Sequence, residues 1–211
     1  MVSRRILQSD YKQQGGTCLL ASYAFLLEYA EVFQSNRLIR SVYDVFVEYL
    51  KFHNTLEPIN CLSTEQIRSL GADAERMIGK AINSYCFLND HIAGYQQIKN
   101  YHVWLTNKKI ISNIEIITIM PPVGESRSKP IKDAYQTIKD TLTKENDQEY
   151  YGALILYLAG KGAHTVFLGY DGDFFIRDSN YSHETSNHAS FDFTFSLQSP
   201  ITEYMLFKIN Q

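Results

Sequence analysis

The chain has 211 residues, 45% hydrophobic and 20% charged, with 20 Lys+Arg against 23 Asp+Glu and a formal net charge of −3. That composition is globular and excludes an intrinsically disordered chain, and the length supplies one large domain or two lobes around a cleft. The balance of charge speaks against a nucleic-acid binder that neutralises phosphates, and no basic block hides within it: residues 1–60 hold six basic and six acidic side chains, and residues 125–149 hold five and six.

In chain order, residues 17–102 read as helical. Residues 18–32 place Leu19, Leu20, Tyr23, Ala24, Leu27 and Ala30 at three- and four-residue spacings, an amphipathic stripe. Residues 41–52 repeat the pattern with Val42, Val45, Phe46, Tyr49 and Leu50. Ser63 followed by Gln66 has the form of a capping box opening a helix through Ile67, Leu70 and Ala74. The signal then turns to strand. Residues 110–120, rich in Ile and Thr, stop at Pro121-Pro122, and residues 124–130 form a loop by composition. A helix is expected over 131–143, followed by strands at 153–159, 164–170, 174–177, 191–197 and 204–209. Asp171-Gly172 is a hairpin turn signal between two of these. The class expected is α+β in a single domain 1–211, with a mainly helical lobe (about 1–105) packed against a mainly antiparallel β lobe (about 106–211).

Three cysteines, Cys18, Cys61 and Cys86, cannot pair without leaving one over, which suits a reducing compartment or thiols that matter as thiols. The opening MVSRRILQSD has two arginines but no apolar run behind them, so no signal peptide is expected. The longest apolar stretches, 110–120 and 153–159, fall far short of the roughly 20 residues that span a bilayer. The expectation is a cytoplasmic protein, or one exported without a cleaved leader, with no membrane span.

The segment that carries chemistry is Gln13-Gln14-Gly15-Gly16-Thr17-Cys18, directly ahead of the first apolar helix. Unpaired backbone N–H groups and the helix dipole at a helix N-terminus favour an anion, and a cysteine there has a lowered pKa and more of the nucleophilic thiolate. The paired glycines allow a tight turn and close approach to a substrate backbone. An upstream glutamine can aim its side-chain N–H₂ into the space before Cys18 and complete an oxyanion hole with the Cys18 N–H. Taken alone, a cysteine is more often a small buried apolar residue; Cys61 and Cys86, which lack the glycine-rich approach, are read that way. Of the six histidines His164 has the best setting for a base, following Gly160-Lys161-Gly162-Ala163 at the start of a strand. After the Asp171-Gly172 turn the chain returns to deliver Asp178 beside it, where a carboxylate can fix the tautomer of the imidazole and stabilise the imidazolium. Asn180, two residues on and on the same strand face, is the alternative orienter.

Other clusters are read as structural. His183 and His188 with Asp178 match no standard zinc spacing, Asp171-Gly172-Asp173 lacks the rest of a calcium loop, and the 15 Tyr and 12 Phe lack basic interleaving. No metal or cofactor is expected. Trp104, beside His102, either packs over a cleft or fills the core.

The order glutamine, helix-start cysteine, strand histidine, aspartate resembles the papain-like cysteine peptidase superfamily. The matching residues are Gln13 or Gln14, Cys18, His164 and Asp178. The words His164-Thr165-Val166 and Asp178-Ser179-Asn180-Tyr181 look most like the bacterial effector branch. The glutamine five residues before the cysteine is similar to Josephin deubiquitinases, and bacteriocin-processing peptidases are a third relative of the same kind. Papain has its glutamine six residues before the cysteine, where this chain has Lys12; the Josephin-like spacing favours Gln13. The resemblance covers two short patches and their order. It implies a papain-like fold and a cysteine protease, a hydrolase of peptide or isopeptide bonds. Cys18 would be the nucleophile, His164 base and then acid, Asp178 the orienter and Gln13 with the Cys18 N–H the oxyanion hole. The partner implied is a protein or peptide substrate. The short stretch ahead of Cys18 leaves little room for an inhibitory pro-segment, which favours an effector or intracellular enzyme over a secreted zymogen. Glutamine deamidation or acyl transfer through the same thioester is the alternative chemistry, and a non-catalytic binding module on the same scaffold is the alternative class.

Overall fold

The computed structural model describes residues 18–32, 94–122, 129–144, 149–159, 162–179 and 200–211. Within them the chain forms α1 (Cys18–Tyr29), α2 (Gly94–Asn107), β1 (Ile114–Met120), α3 (Ala134–Leu142), β2 (Glu149–Ala159), β3 (Gly162–Tyr170), β4 (Phe174–Arg177) and β5 (Ile201–Asn210). The five strands make one sheet in the order β1-β5-β2-β3-β4, and every neighbouring pair is antiparallel. Helices with an antiparallel sheet are the α+β class that the sequence pattern predicts. The helices expected over 41–52 and 63–74 and the strand expected over 191–197 lie outside the described residues.

Element ends differ from the sequence expectation for identifiable reasons. The strand expected from residue 110 begins at Ile114, because residues 108–110 close α2. Lys109 adopts a left-handed conformation (φ 57°), its N–H bonds the Thr106 carbonyl, and the Ile110 N–H reaches back to Leu105. That is a Schellman motif. The same motif closes α1 at Glu31 (φ 57°), with the Val32 N–H on the Leu27 carbonyl. Neither position is glycine, so neither stop was signalled. The helix expected from residue 131 starts at Ala134, since Asp133 is left-handed (φ 60°) and the Ile131 N–H bonds the Ile201 carbonyl at the start of β5. β2 and β5 run beyond their apolar centres because their mutual ladder continues from Glu149↔Asn210 to Tyr157↔Ile201.

Both faces of the sheet are covered. One packs against α1 and α2 through Leu154, Phe167, Phe175, Met205 and Phe207. The other packs against Ala134, Ile138 and Leu142 of α3 through Ala153, Ile155, Val166, Leu168 and Leu206. Consecutive apolar residues such as Val166-Phe167-Leu168 therefore serve two cores at once, the mark of a strand buried on both sides. The amphipathic stripe expected on α1 is corrected by the same packing. Every residue from Leu20 to Tyr29 is buried, Ser22 and Glu28 included, so α1 is a core helix with no solvent face. Gly152 makes the close approach of α1 possible: a Cβ there would stand 3.0 Å from Leu26 Cδ1 and 3.0 Å from Phe167 Cε2.

Candidate active site

Polar contacts fix α1 along β3. The Ser22 hydroxyl donates to the Thr165 carbonyl (3.0 Å) near the helix start, and the Tyr29 hydroxyl donates to the Tyr170 carbonyl (2.8 Å) at its end. Between them, the Arg177 guanidinium lies 4.8 Å from the centroid of the Phe25 ring. Arg177 is buried, a setting in which such a cation–π contact contributes about 2 kcal/mol. It tethers the end of β4 to the helix, one residue before Asp178. The helix start, the start of β3 and the end of β4 thus converge.

Three of the four residues predicted from sequence meet there. Cys18 is the first residue of α1, and its thiol lies within electrostatic reach of the His164 ring. His164 Nε2 and Asp178 Oδ1 are 2.7 Å apart. With Nε2 engaged by the carboxylate, Nδ1 is the ring nitrogen left for the thiol. Gln13, with Gln14 and Asn180, lies outside the described residues. The β3–β4 hairpin turns at Gly172, whose φ of 102° only glycine adopts readily. Its register ends at Phe167↔Arg177. One residue further, Asp178 comes opposite Val166, on the strand face shared with His164, so its contact with His164 is the diagonal one rather than the directly opposed one.

The electrostatics follow from this packing. Burial by itself would push the Cys18 thiol up, but the hydrogen bond to His164, the Thr165 backbone and the nearby imidazole charge bring it below its ordinary value. Burial by itself would push His164 down, but its hydrogen bonds to Asp178 and Cys18, and their charges, carry it up to about 9. The two shifts run in the direction that moves the thiol proton onto the imidazole. Tyr157, paired with His164 across β2 and β3, sets its ring edge against the imidazole at 5.7 Å between centroids.

The other histidine among the described residues, His102, is a core group. Its Nε2 faces the Ile114 carbonyl (3.2 Å), which can only accept, so Nε2 carries the proton and Nδ1 accepts from the Tyr23 hydroxyl (2.8 Å). Burial holds it below the usual histidine range. Trp104 stacks on Tyr101 and packs against the α1 core, which answers the open reading of its place. A groove of about 580 Å³ runs between α2 and β1, lined by Lys99, Val103, Thr106 and Ile117, and takes in none of Cys18, His164 or Asp178.

Sequence reasoning missed Ser22 and Thr165. Ser22 was findable, since a hydroxyl four residues after Cys18 shares its helix face. Thr165 meets Ser22 only through the tertiary fold. Among the described residues no group of three His, Cys, Asp or Glu is placed to hold a metal ion, and no helix is long and apolar enough to cross a membrane. Compared with protein-family models, curated proteins and solved structures, the chain matches none.

Proposed function

We propose that the chain is a papain-like cysteine hydrolase that cleaves a peptide or isopeptide bond through a thioester on Cys18. The observation that carries this reading is the convergence of Cys18, His164 and Asp178, with a helix start behind the sulfur and the Asp178 carboxylate 2.7 Å from the far nitrogen of the imidazole. Its chemistry follows directly. The thiolate attacks a carbonyl carbon, and the oxyanion is held by the Cys18 N–H with Gln13. The His164 imidazolium then gives its proton to the leaving amine, and neutral His164 next takes a proton from the water that releases the acyl group. Asp178 stabilises the imidazolium and holds the ring with Nδ1 toward sulfur. The α+β frame and the order of the three residues along the chain support a papain-like arrangement.

The test is an activity-based thiol probe on the wild-type chain and on Cys18→Ala, followed by mass spectrometry of partner proteins exposed to each. The reading expects Cys18-dependent probe labelling together with new peptide termini in a partner. A mass gain of about one dalton on an intact partner would assign the same site to glutamine deamidation instead, since deamidation proceeds through the same thioester. No labelling of Cys18 would end the catalytic reading.

A further inference from the structure

Tyr157 of β2 stands directly opposite His164 of β3 in the ladder. Opposed residues of an antiparallel pair share a face, with Cβ atoms about 4.5–5.5 Å apart, so these two side chains lie within reach of each other. Their ring centroids are 5.7 Å apart and their planes stand at 86°. That is the T-shaped arrangement that the charge distribution of aromatic rings favours. At Nε2 the same imidazole meets Asp178 Oδ1 at 2.7 Å. A hydrogen bond at one corner of a ring fixes that corner alone. The outer torsion of a histidine is broad, so the plane of the ring is set by what packs against it. Tyr157 is itself held in place. It packs against the α3 core, and its partner on the other flank is Ile201 of β5, which is buried. The β2–β5 ladder is irregular at this point: Leu156 faces Glu203 and Tyr157 faces Ile201, so Thr202 is passed over. Such a bulge sharpens the local twist and re-aims the side chains beside it. Ile201, Tyr157 and His164 thereby form a row across the end of three strands, with Asp178 beyond it.

We propose that Tyr157 is a positioning residue for His164: its ring, perpendicular to the imidazole, fixes the plane in which Nε2 stays on the Asp178 carboxylate. The inference deepens the reading of His164 as the base of a cysteine hydrolase and rests on it. Two partners divide the task. Asp178 supplies the charge that stabilises the imidazolium, and Tyr157 supplies the wall that stops the ring from turning off the carboxylate. The aromatic ring does this and the hydroxyl does not, because a T-shaped contact needs an edge and a face, which phenylalanine keeps. An aliphatic side chain fills much of the same space without that directional contact. A group that transfers a proton must lie within hydrogen-bond reach of the atoms it serves, so an imidazole that swings loses proton transfer even where the fold is unchanged.

The experiment is proton NMR of the downfield imidazole N–H of His164, together with the rate of Cys18 alkylation by iodoacetamide at pH 6, on the full chain. The resonance is assigned by its loss in His164→Ala, and circular dichroism establishes the fold of each variant. Wild type should show a slowly exchanging His164 N–H, sheltered by its bond to Asp178. Tyr157→Leu should lose that signal to exchange with water and slow alkylation about tenfold, the loss that a rise of about one pH unit in the thiol midpoint gives. Tyr157→Phe should keep both. A folded Tyr157→Leu that keeps the wild-type signal or the wild-type rate overturns the proposal and leaves His164 as base. A Tyr157→Phe as impaired as Tyr157→Leu also overturns it, because the hydroxyl would then be the acting group. If Tyr157→Leu does not fold, Tyr157→Met takes its place under the same criteria; if neither folds, Tyr157 belongs to the core alone and the proposal falls. A wild-type Cys18 that labels only as an ordinary thiol overturns both this inference and the function proposed above.

Discussion

At the scale of single residues, the two perturbed groups set opposite limits on the proposed activity. The active pair needs a thiolate and an imidazolium, so the rate should rise as Cys18 loses its proton and fall as His164 loses its own, near pH 9. Asp178 raises His164, so Asp178→Ala should draw the basic limb of the pH–rate profile below 9 and reduce the rate about a hundredfold or more. A basic limb that stays in place after the substitution would show that another group orients the imidazole. His102 predicts the reverse dependence in stability. It is held neutral in the folded chain, whereas the unfolded chain takes up a proton near pH 6.5. Its contribution is therefore complete above about pH 6.5 and is lost as the pH falls from there toward its depressed folded value. Urea titrations between pH 7 and 5 should show stability falling in wild type, and a shallower fall in His102→Asn. Equal slopes would remove His102 as the cause.

At the scale of elements, helix ends are where this chain departs most from sequence rules. Glu31 and Lys109 sit in the left-handed conformation that glycine usually fills, and both are exposed. A non-glycine residue there gives up about 1 kcal/mol, part of which glycine loses again through the greater freedom of its unfolded chain. Lys109→Gly should accordingly stabilise the protein by about 0.5 kcal/mol, read as a rise in the denaturant midpoint at unchanged slope. A fall in the midpoint would mean that the Lys109 side chain contributes more than its backbone costs; its neighbour Lys108, over the Trp104 ring at 5.8 Å, would be unaffected either way.

At the scale of the whole molecule, α1 is both the centre of one core and the carrier of the candidate nucleophile. Anything that moves it off the sheet should cost stability and site geometry together. Gly152→Ala puts a methyl group against Leu26 of α1 and Phe167 of β3, each at 3.0 Å, so both buried side chains must give way by a few tenths of an ångström. Overpacking of this kind costs about 1–3 kcal/mol. Because Cys18 and Ser22 ride on the displaced helix, labelling of Cys18 below pH 8 should slow in the same variant. A stable Gly152→Ala with slowed labelling, or the converse, would separate the two effects and contradict a rigid link between core and site.

Much of the candidate site was legible without coordinates. The residue types Cys18, His164 and Asp178, the hairpin turn at Asp171-Gly172 and the strand centres are written in local chemistry: an apolar run behind a glycine pair, β-branched alternation, a dipeptide suited to positive φ. Local chemistry acts between neighbours, so it reads well one residue at a time. The tertiary structure decided what depends on partners distant in the chain. It made Asp178 the diagonal rather than the opposed neighbour of His164, because the ladder ends at Arg177. It turned the apparent stripe of α1 into a helix buried on all sides, because the sheet and α2 both close on it. It brought the Thr165 carbonyl to the Ser22 hydroxyl, one helical turn from Cys18, across a sequence separation of 143 that no periodicity records. Side-chain type is fixed by the sequence at each position, whereas the field around a thiol is the sum over every element packed against it, and that sum exists only in the folded chain.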